Sequence, residues 1–244
     1  FLRKPAGWEV DGGRDAVPRP GPTPPKLSAF LQTFAPHPIV SDLSCGFGLL
    51  GRLDVPSEGV VLAALTYKAY FMLRMQQERL AIEREYVVLC HGQMPAGLTS
   101  IRAAIRAVPS SGSVVSDDGL PAETRLLPCA CLKQDGSVYT LVLASIVTGR
   151  KHQIRVHLAH QGHPVVADPR YSPQASLDFR WCPRQFLFRY RLACPWFQGY
   201  LEAVLPLPGD LRKVLSSLDP FKPSDASASA WHHWKSGATP MSFR

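Results

Sequence analysis

The feature that most limits the fold of this chain lies near its middle. Two runs, ETRLLPCACL from Glu123 and SVYTLVLASIVTG from Ser137, are separated only by Lys133-Gln134-Asp135-Gly136. Asp-Gly supplies the positive-φ positions of a tight hairpin turn, so two long strands are predicted to run antiparallel and adjacent. Near the end of the chain, RQFLFRYRLACPW and GYLEAVLPLP alternate like a second antiparallel pair. GVVLAALT from Gly59 and EYVVLCHG up to Gly92 are short apolar runs with the punctuation of buried strands. Helical spacing is scarcer. LSAFLQTF forms a short amphipathic helix; a second, with Ala69, Met72, Leu73 and Leu80 on one side, starts from a Thr66 cap; HQIRVHLAHQG is a third, stopped by Gly162 with Pro164 beyond. Residues 93–122 read as loops around a short strand at SIRAAIRAV. Strands outnumber helices and most connections are hairpins, so the fold class is α+β, with a mixed, largely antiparallel β-sheet and flanking helices.

A chain of 244 residues can bury one sizeable core without a metal or disulfide staple. One domain is expected over residues 1–210. Residues 11–26 hold five prolines and three glycines and read as a long loop. Residues 219–244 lose periodicity and collect Ser, Ala, His and Trp, so a structureless tail is expected there. No apolar run reaches the length of a membrane span. The six cysteines lack disulfide or zinc spacing and are expected to be reduced, mostly buried thiols of an intracellular protein in an unspecified compartment. The chain starts at Phe1 rather than Met, so an earlier beginning is expected to be missing.

Charge narrows the partner. The chain carries 27 Lys+Arg against 19 Asp+Glu, a net charge of +8. Each cation placed against a phosphate releases a condensed counterion, so a polyanion, foremost nucleic acid, is the favoured partner class. No obligatory protein partner can be inferred.

Four segments bear chemically capable side chains. Gly46 to Gly51 matches G-x-G-x-x-G, but no clean strand precedes it and Pro56 disfavours the helix that a dinucleotide site needs. In Arg52-Leu53-Asp54, an arginine two residues from a carboxylate can keep it ionised while it is partly desolvated, which describes a poised nucleophile. A surface ion pair in a turn is the plainer reading. The run from Thr148 to Pro164 passes from a strand end into a helix start, where Arg150, His152, Gln153 and Arg155 cluster beside outward-pointing amides suited to phosphate. His157, His160 and His163 sit three apart and invite a metal-hydrolase reading, but His163 lies past the Gly162 stop and only Asp168 is a nearby oxygen ligand; no metal is expected. Tyr86 opens a strand, where tyrosines are mostly half-buried packing residues.

Taken in order, these segments resemble the RluA-type family of pseudouridine synthases. The resemblance rests on Lys4-Pro5-Ala6-Gly7, on Arg52-Leu53-Asp54 with Ser57 and Gly59, on Glu85-Tyr86, and on TGRKHQIRVHLAHQGHPVVADPRY, and it spans residues 4–208. It implies the family's catalytic-domain fold and an isomerase that turns uridine into pseudouridine in structured ribosomal or transfer RNA, with no metal and no organic cofactor. By the same resemblance Asp54 is the nucleophile or base at the sugar, Tyr86 stacks on the uracil and assists at C5, and Arg155 pairs with Asp54, with Arg150 as the fallback. Arg52 helps displace the target base, and Arg150, His152 and Gln153 bind substrate. Departures are Gly51 where His is usual, Glu58, whose charge lies close to Asp54, Arg84 for the frequent lysine, and Phe188 where a histidine is common. The alternative is an RNA-binding protein that keeps the fold with little or no activity.

Overall fold

A computed structural model describes residues 1–11, 22–109, 112–197, 199–221 and 225–238. The chain divides into two compact units, one made of Phe1–Glu83 with Arg191–Ala203, the other of Arg84–Tyr190 with Val204–Arg244.

In the first unit, β1 (Leu2–Lys4) pairs antiparallel with β3 (Glu58–Ala63), and the short β2 (Leu49–Leu50) pairs with the far end of β3. Between β1 and β2 come α1 (Leu27–Phe34) and two tight helical turns, Pro38–Ser41 and Leu43–Gly48. Leu27, Leu31, Ile39, Val40 and Val61 make the core of this unit. Helix α2 (Tyr67–Glu78) begins where expected, with the Thr66 hydroxyl accepting from the Ala69 amide. Of the loop expected over residues 11–26, positions 12–21 lie outside the described residues.

The second unit is a sheet in the order β10, β4, β9, β8, β12. Strand β4 covers Glu83–His91, and β5 (Ser100–Arg102) pairs with β8. A small hairpin of β6 (Ile105–Val108) and β7 (Gly112–Val115) follows, so the segment expected to be mostly loop carries three short strands. The central hairpin is present: β8 (Glu123–Gln134) and β9 (Ser137–Ile146) pair throughout, with Gln134 opposite Ser137. Asp135 (φ 48°) and Gly136 (φ 76°) supply the left-handed turn. Helix α3 (Gln153–His160), a single turn α4 (Ala175–Asp178), the expected strands β10 (Leu187–Trp196) and β11 (Gly199–Val204), whose Arg191–Ala203 stretch belongs to the first unit, and an unpredicted helix α5 (Gly209–Ser216) follow. The core beneath is large, with Val87, Leu89, Leu141, Leu143, Phe186 and Phe188 at its centre.

The expected structureless tail is corrected in part. After β12 (Asp219–Pro220), helix α6 spans Asp225–Ser236 and buries Trp231 and Trp234 in the same core. Two indoles three positions apart supply enough apolar area to order a helix whose other residues are polar or small. Residues 239–244 lie outside the described residues. All six cysteines are free, four of them buried. No helix among the described residues is long and apolar enough to cross a membrane.

Candidate functional site

In the first unit the candidate nucleophile sits on a braced turn. The Ser57 amide donates to the Asp54 carbonyl at 3.0 Å, closing the turn that carries the partly exposed Asp54 side chain. The next carbonyl, of Val55, accepts from the Gly7 amide at 2.8 Å and from the Lys4 ammonium at 3.2 Å. Lys4 is 0% exposed and donates also to the Pro5 and Trp8 carbonyls, at 2.9 and 2.7 Å. These carbonyl dipoles replace part of the water that a buried ammonium gives up. The Lys4-Pro5-Ala6-Gly7 segment thereby fixes the path of the turn bearing Asp54, a function that spacing alone could not assign. Glu58 is neutralised by Arg3, which binds it through Nε at 2.8 Å and Nη2 at 2.5 Å. Its charge is thus spent on β1 rather than left bare near Asp54. Arg52 is exposed.

In the second unit, strand alternation sorts β4 and β10 into two faces. Val87, Leu89, Phe188 and Tyr190 face the core; Tyr86 and Arg189 share the opposite side. Tyr86 is 5% exposed. The Arg189 guanidinium lies 5.8 Å from the centre of its ring, with Nη1 3.4 Å from its hydroxyl. Arg84, two residues before, is also buried, and its Nη2 donates to the Val147 carbonyl at 2.9 Å. Burial pulls the Arg84 pKa below its ordinary value; the positive charge of Arg189 adds to this and Tyr86 opposes it. A Cβ at Gly149 would stand 2.8 Å from Arg84 Nη1, so a larger residue there would displace the end of that side chain. Phe188 takes a core position, so its replacement of a frequent histidine alters the packed side of β10. On that packed side Tyr190 hydrogen-bonds Glu85, and Trp234 of α6 stacks edge-on against Tyr190 at 5.0 Å. The β4–β10 pair that presents Tyr86 is thereby held from behind.

In the segment around α3, two of the expected site residues are held by buried neighbours. Arg155, 4% exposed, grips Asp168 with both Nε and Nη2 at 2.7 Å and lies 5.0 Å from the Tyr171 ring. Asp168 is thus one carboxylate partner of Arg155. A bidentate guanidinium–carboxylate pair is the strongest arrangement available to a buried arginine, and Asp168 is fully buried beside it. Gln153 is likewise structural rather than free for substrate. Its Oε1 accepts from the Thr148 hydroxyl and the Arg150 amide at 2.8 and 3.0 Å, and its Nε2 donates to the Glu123 carbonyl and Thr124 hydroxyl at 2.8 and 3.1 Å. That exhausts the amide. Arg150 and His152 remain at the surface of this segment. Arg150 Nε donates to the Pro121 carbonyl at 3.1 Å, and His152, in the left-handed conformation at φ 56°, shares a hydrogen bond of 2.8 Å with the Tyr171 hydroxyl. The triplet histidines diverge. His157 is buried between the Thr124 hydroxyl and the Ala103 carbonyl, and burial lowers its pKa; His160 is exposed; His163 bonds the His91 carbonyl. No group of three potential metal ligands exists among the described residues.

Sequence reasoning missed Arg189. The available signal was a pair of arginines, Arg189 and Arg191, inside a strand whose other positions are apolar or aromatic. Buried cations at such places carry a structural or chemical duty.

Residues 1–160 match the family described as RNA pseudouridylate synthase. The chain belongs to that family. Among relatives of this chain, an uncharacterized RNA pseudouridine synthase of Chloroflexus aurantiacus is 34% identical over 223 residues, covering 88% of this chain and 65% of the relative. Ribosomal large subunit pseudouridine synthase C of Haemophilus ducreyi is 34% identical over 179 residues, 70% of this chain and 55% of the relative. The chain thus spans between about half and two thirds of the length of these relatives. The fold is shared with solved human structures. RNA Pseudouridylate Synthase Domain Containing 4 superposes with a TM-score of 0.64 at 19% identity, over 91% of this chain and 90% of the other. RNA Pseudouridylate Synthase Domain Containing 1 gives 0.62 at 22%, over 79% and 82%.

Proposed function

We propose that the chain is an RNA pseudouridine synthase that isomerises uridine to pseudouridine in structured ribosomal or transfer RNA. The observation that supports this most is the family match over residues 1–160, which contains both Asp54 on its Lys4-braced turn and the buried Tyr86. The reaction breaks the bond from ribose to uracil N1 and makes one to C5; a proton leaves C5 and one arrives at N1, so the balance closes without a cofactor. Asp54 acts at the sugar as nucleophile or base. Tyr86 packs on the uracil ring and assists at C5, with Arg189 holding its hydroxyl in place. Arg84 adds buried positive charge on which the electron-rich uracil carbonyls can be oriented. Arg52 helps displace the target base from its stack, since its reactive atoms are out of reach within one. Arg150 and His152 contact RNA phosphate or sugar. Arg155 fixes Asp168 and Tyr171 behind His152.

The test is to map pseudouridine in ribosomal and transfer RNA from cells lacking the protein and from cells re-supplied with it. The wild-type chain restores at least one site and Asp54→Asn restores none. Equal restoration by Asp54→Asn removes Asp54 from the chemistry. RNA that binds the wild-type protein with no site restored favours the binding-only alternative.

A further inference from the structure

The second unit holds a cavity of about 600 Å³ that the chemistry above does not use. It is bounded by His91, five positions after Tyr86 on β4, which is about 17 Å along an extended strand and on the opposite face. The two places are therefore separate. Its wall is aromatic. Tyr139, opposite His91 in the β4–β9 register, lies 5.3 Å from the His91 ring and 5.2 Å from Trp181. Pro164 and Leu177 add apolar surface. The volume falls within the range of small-molecule sites.

The polar part of the cavity is specific. The buried Asp178 carboxylate accepts from the Ala167 amide at 2.8 Å and meets His91 Nε2 at 2.9 Å on the same oxygen. A hydrogen on Nε2 meets this acceptor, and in the neutral ring of that tautomer His91 Nδ1 keeps its lone pair. Nδ1 has no hydrogen-bond partner among the described residues. Two exposed arginines, Arg170 and Arg180, adjoin the lining residues Tyr171 and Trp181 in sequence.

Flat aromatic surface, one acceptor nitrogen and adjacent cations match a nucleotide: the base stacks, an amino group donates to Nδ1, and the phosphate faces guanidinium. We propose that this cavity takes a nucleobase of the bound RNA other than the uridine being modified. The proposal rests on the reading of the chain as an RNA-acting protein. The base is a purine or cytosine, since an exocyclic amino group supplies the donor.

Calorimetric titration with adenosine 5′-monophosphate, with ribose 5-phosphate as the base-free control, tests this on the full chain. The nucleotide is expected to bind wild type and Tyr86→Phe alike, and the sugar phosphate not to bind. Trp181→Ala, at a half-exposed position, weakens binding by about tenfold, the usual worth of one stacked base. Leu177→Glu, at an exposed lining position, weakens it as well by placing negative charge near the phosphate. Absent saturable binding, equal binding of ribose 5-phosphate, or binding unchanged in both variants overturns the proposal. Pseudouridine formation by wild-type protein, measured in parallel, separates the two readings. Pseudouridine without nucleotide binding defeats the cavity alone; cavity binding without pseudouridine at any site defeats the enzyme alone.

Discussion

At the residue scale, the side chain that most repays attention is Lys4. Replacing it with Met removes the donor to three carbonyls, those of Pro5, Trp8 and Val55. Each unsatisfied buried acceptor costs on the order of 1–3 kcal/mol. Lys4→Met is therefore expected to lower unfolding stability by about 3 kcal/mol and to cut pseudouridine formation by loosening the Asp54 turn. Paired urea melts and single-turnover rates check both. A loss of stability with full activity would separate the turn from the chemistry. His157 gives a pH test. Its folded pKa is depressed below the ordinary 6.5 because burial disfavours the imidazolium. The unfolded chain then binds the proton more readily, so stability is complete above pH 6.5 and falls as pH drops toward the folded value. His157→Gln is expected to flatten that part of the stability profile, measured as urea midpoints between neutral and mildly acidic pH. The sequence made Asp54, Tyr86, Arg150 and His152 legible because each stands in a local block. It did not make the Arg155–Asp168 pair legible, because a carboxylate thirteen residues on has no local signature and only tertiary placement brings it to the guanidinium.

At the element scale, the central hairpin could be read directly, since Asp135-Gly136 sets both the turn and the register. The helix at the end of the chain could not. Its sequence is mostly small and polar, and it is ordered by the apolar surface of α5 and β8 onto which Trp231 and Trp234 fall. Trp231 also donates to the Leu215 carbonyl of α5 at 3.0 Å. Such a helix has no local signature, because the stabilising surface lies elsewhere in the sequence. Trp234→Ala is expected to cost about 3–5 kcal/mol, the range for emptying a large aromatic site in a core. A shift in the denaturant midpoint reads it. Because Trp234 packs on Tyr190, which bonds Glu85, the same variant is expected to lower kcat more than KM. Unchanged kcat in folded protein would show that the back of the sheet does not tune its front.

At the scale of the whole molecule, under the proposed function the net charge of +8 is expected to set how RNA is held. The logarithm of affinity is expected to fall linearly with the logarithm of salt concentration, and Arg52→Ala and Arg150→Ala each to reduce the slope by about 1. Filter binding at several ionic strengths measures this; unchanged slopes would remove these two residues from the phosphate contacts. Connectivity could not be read from composition at all. The sequence suggested one continuous domain to residue 210, whereas the first unit is assembled from two stretches, Phe1–Glu83 and Arg191–Ala203. Arg191 ties them, binding Glu83 at 2.7 Å and Glu202 at 2.5 Å. During synthesis the opening third of the polypeptide must therefore wait, unfinished, while everything needed for the other unit's middle emerges from the ribosome. A chain cut shortly before Arg191 would lack the second stretch of the first unit and the guanidinium that binds Glu83, so damage late in the message reaches a unit begun far earlier.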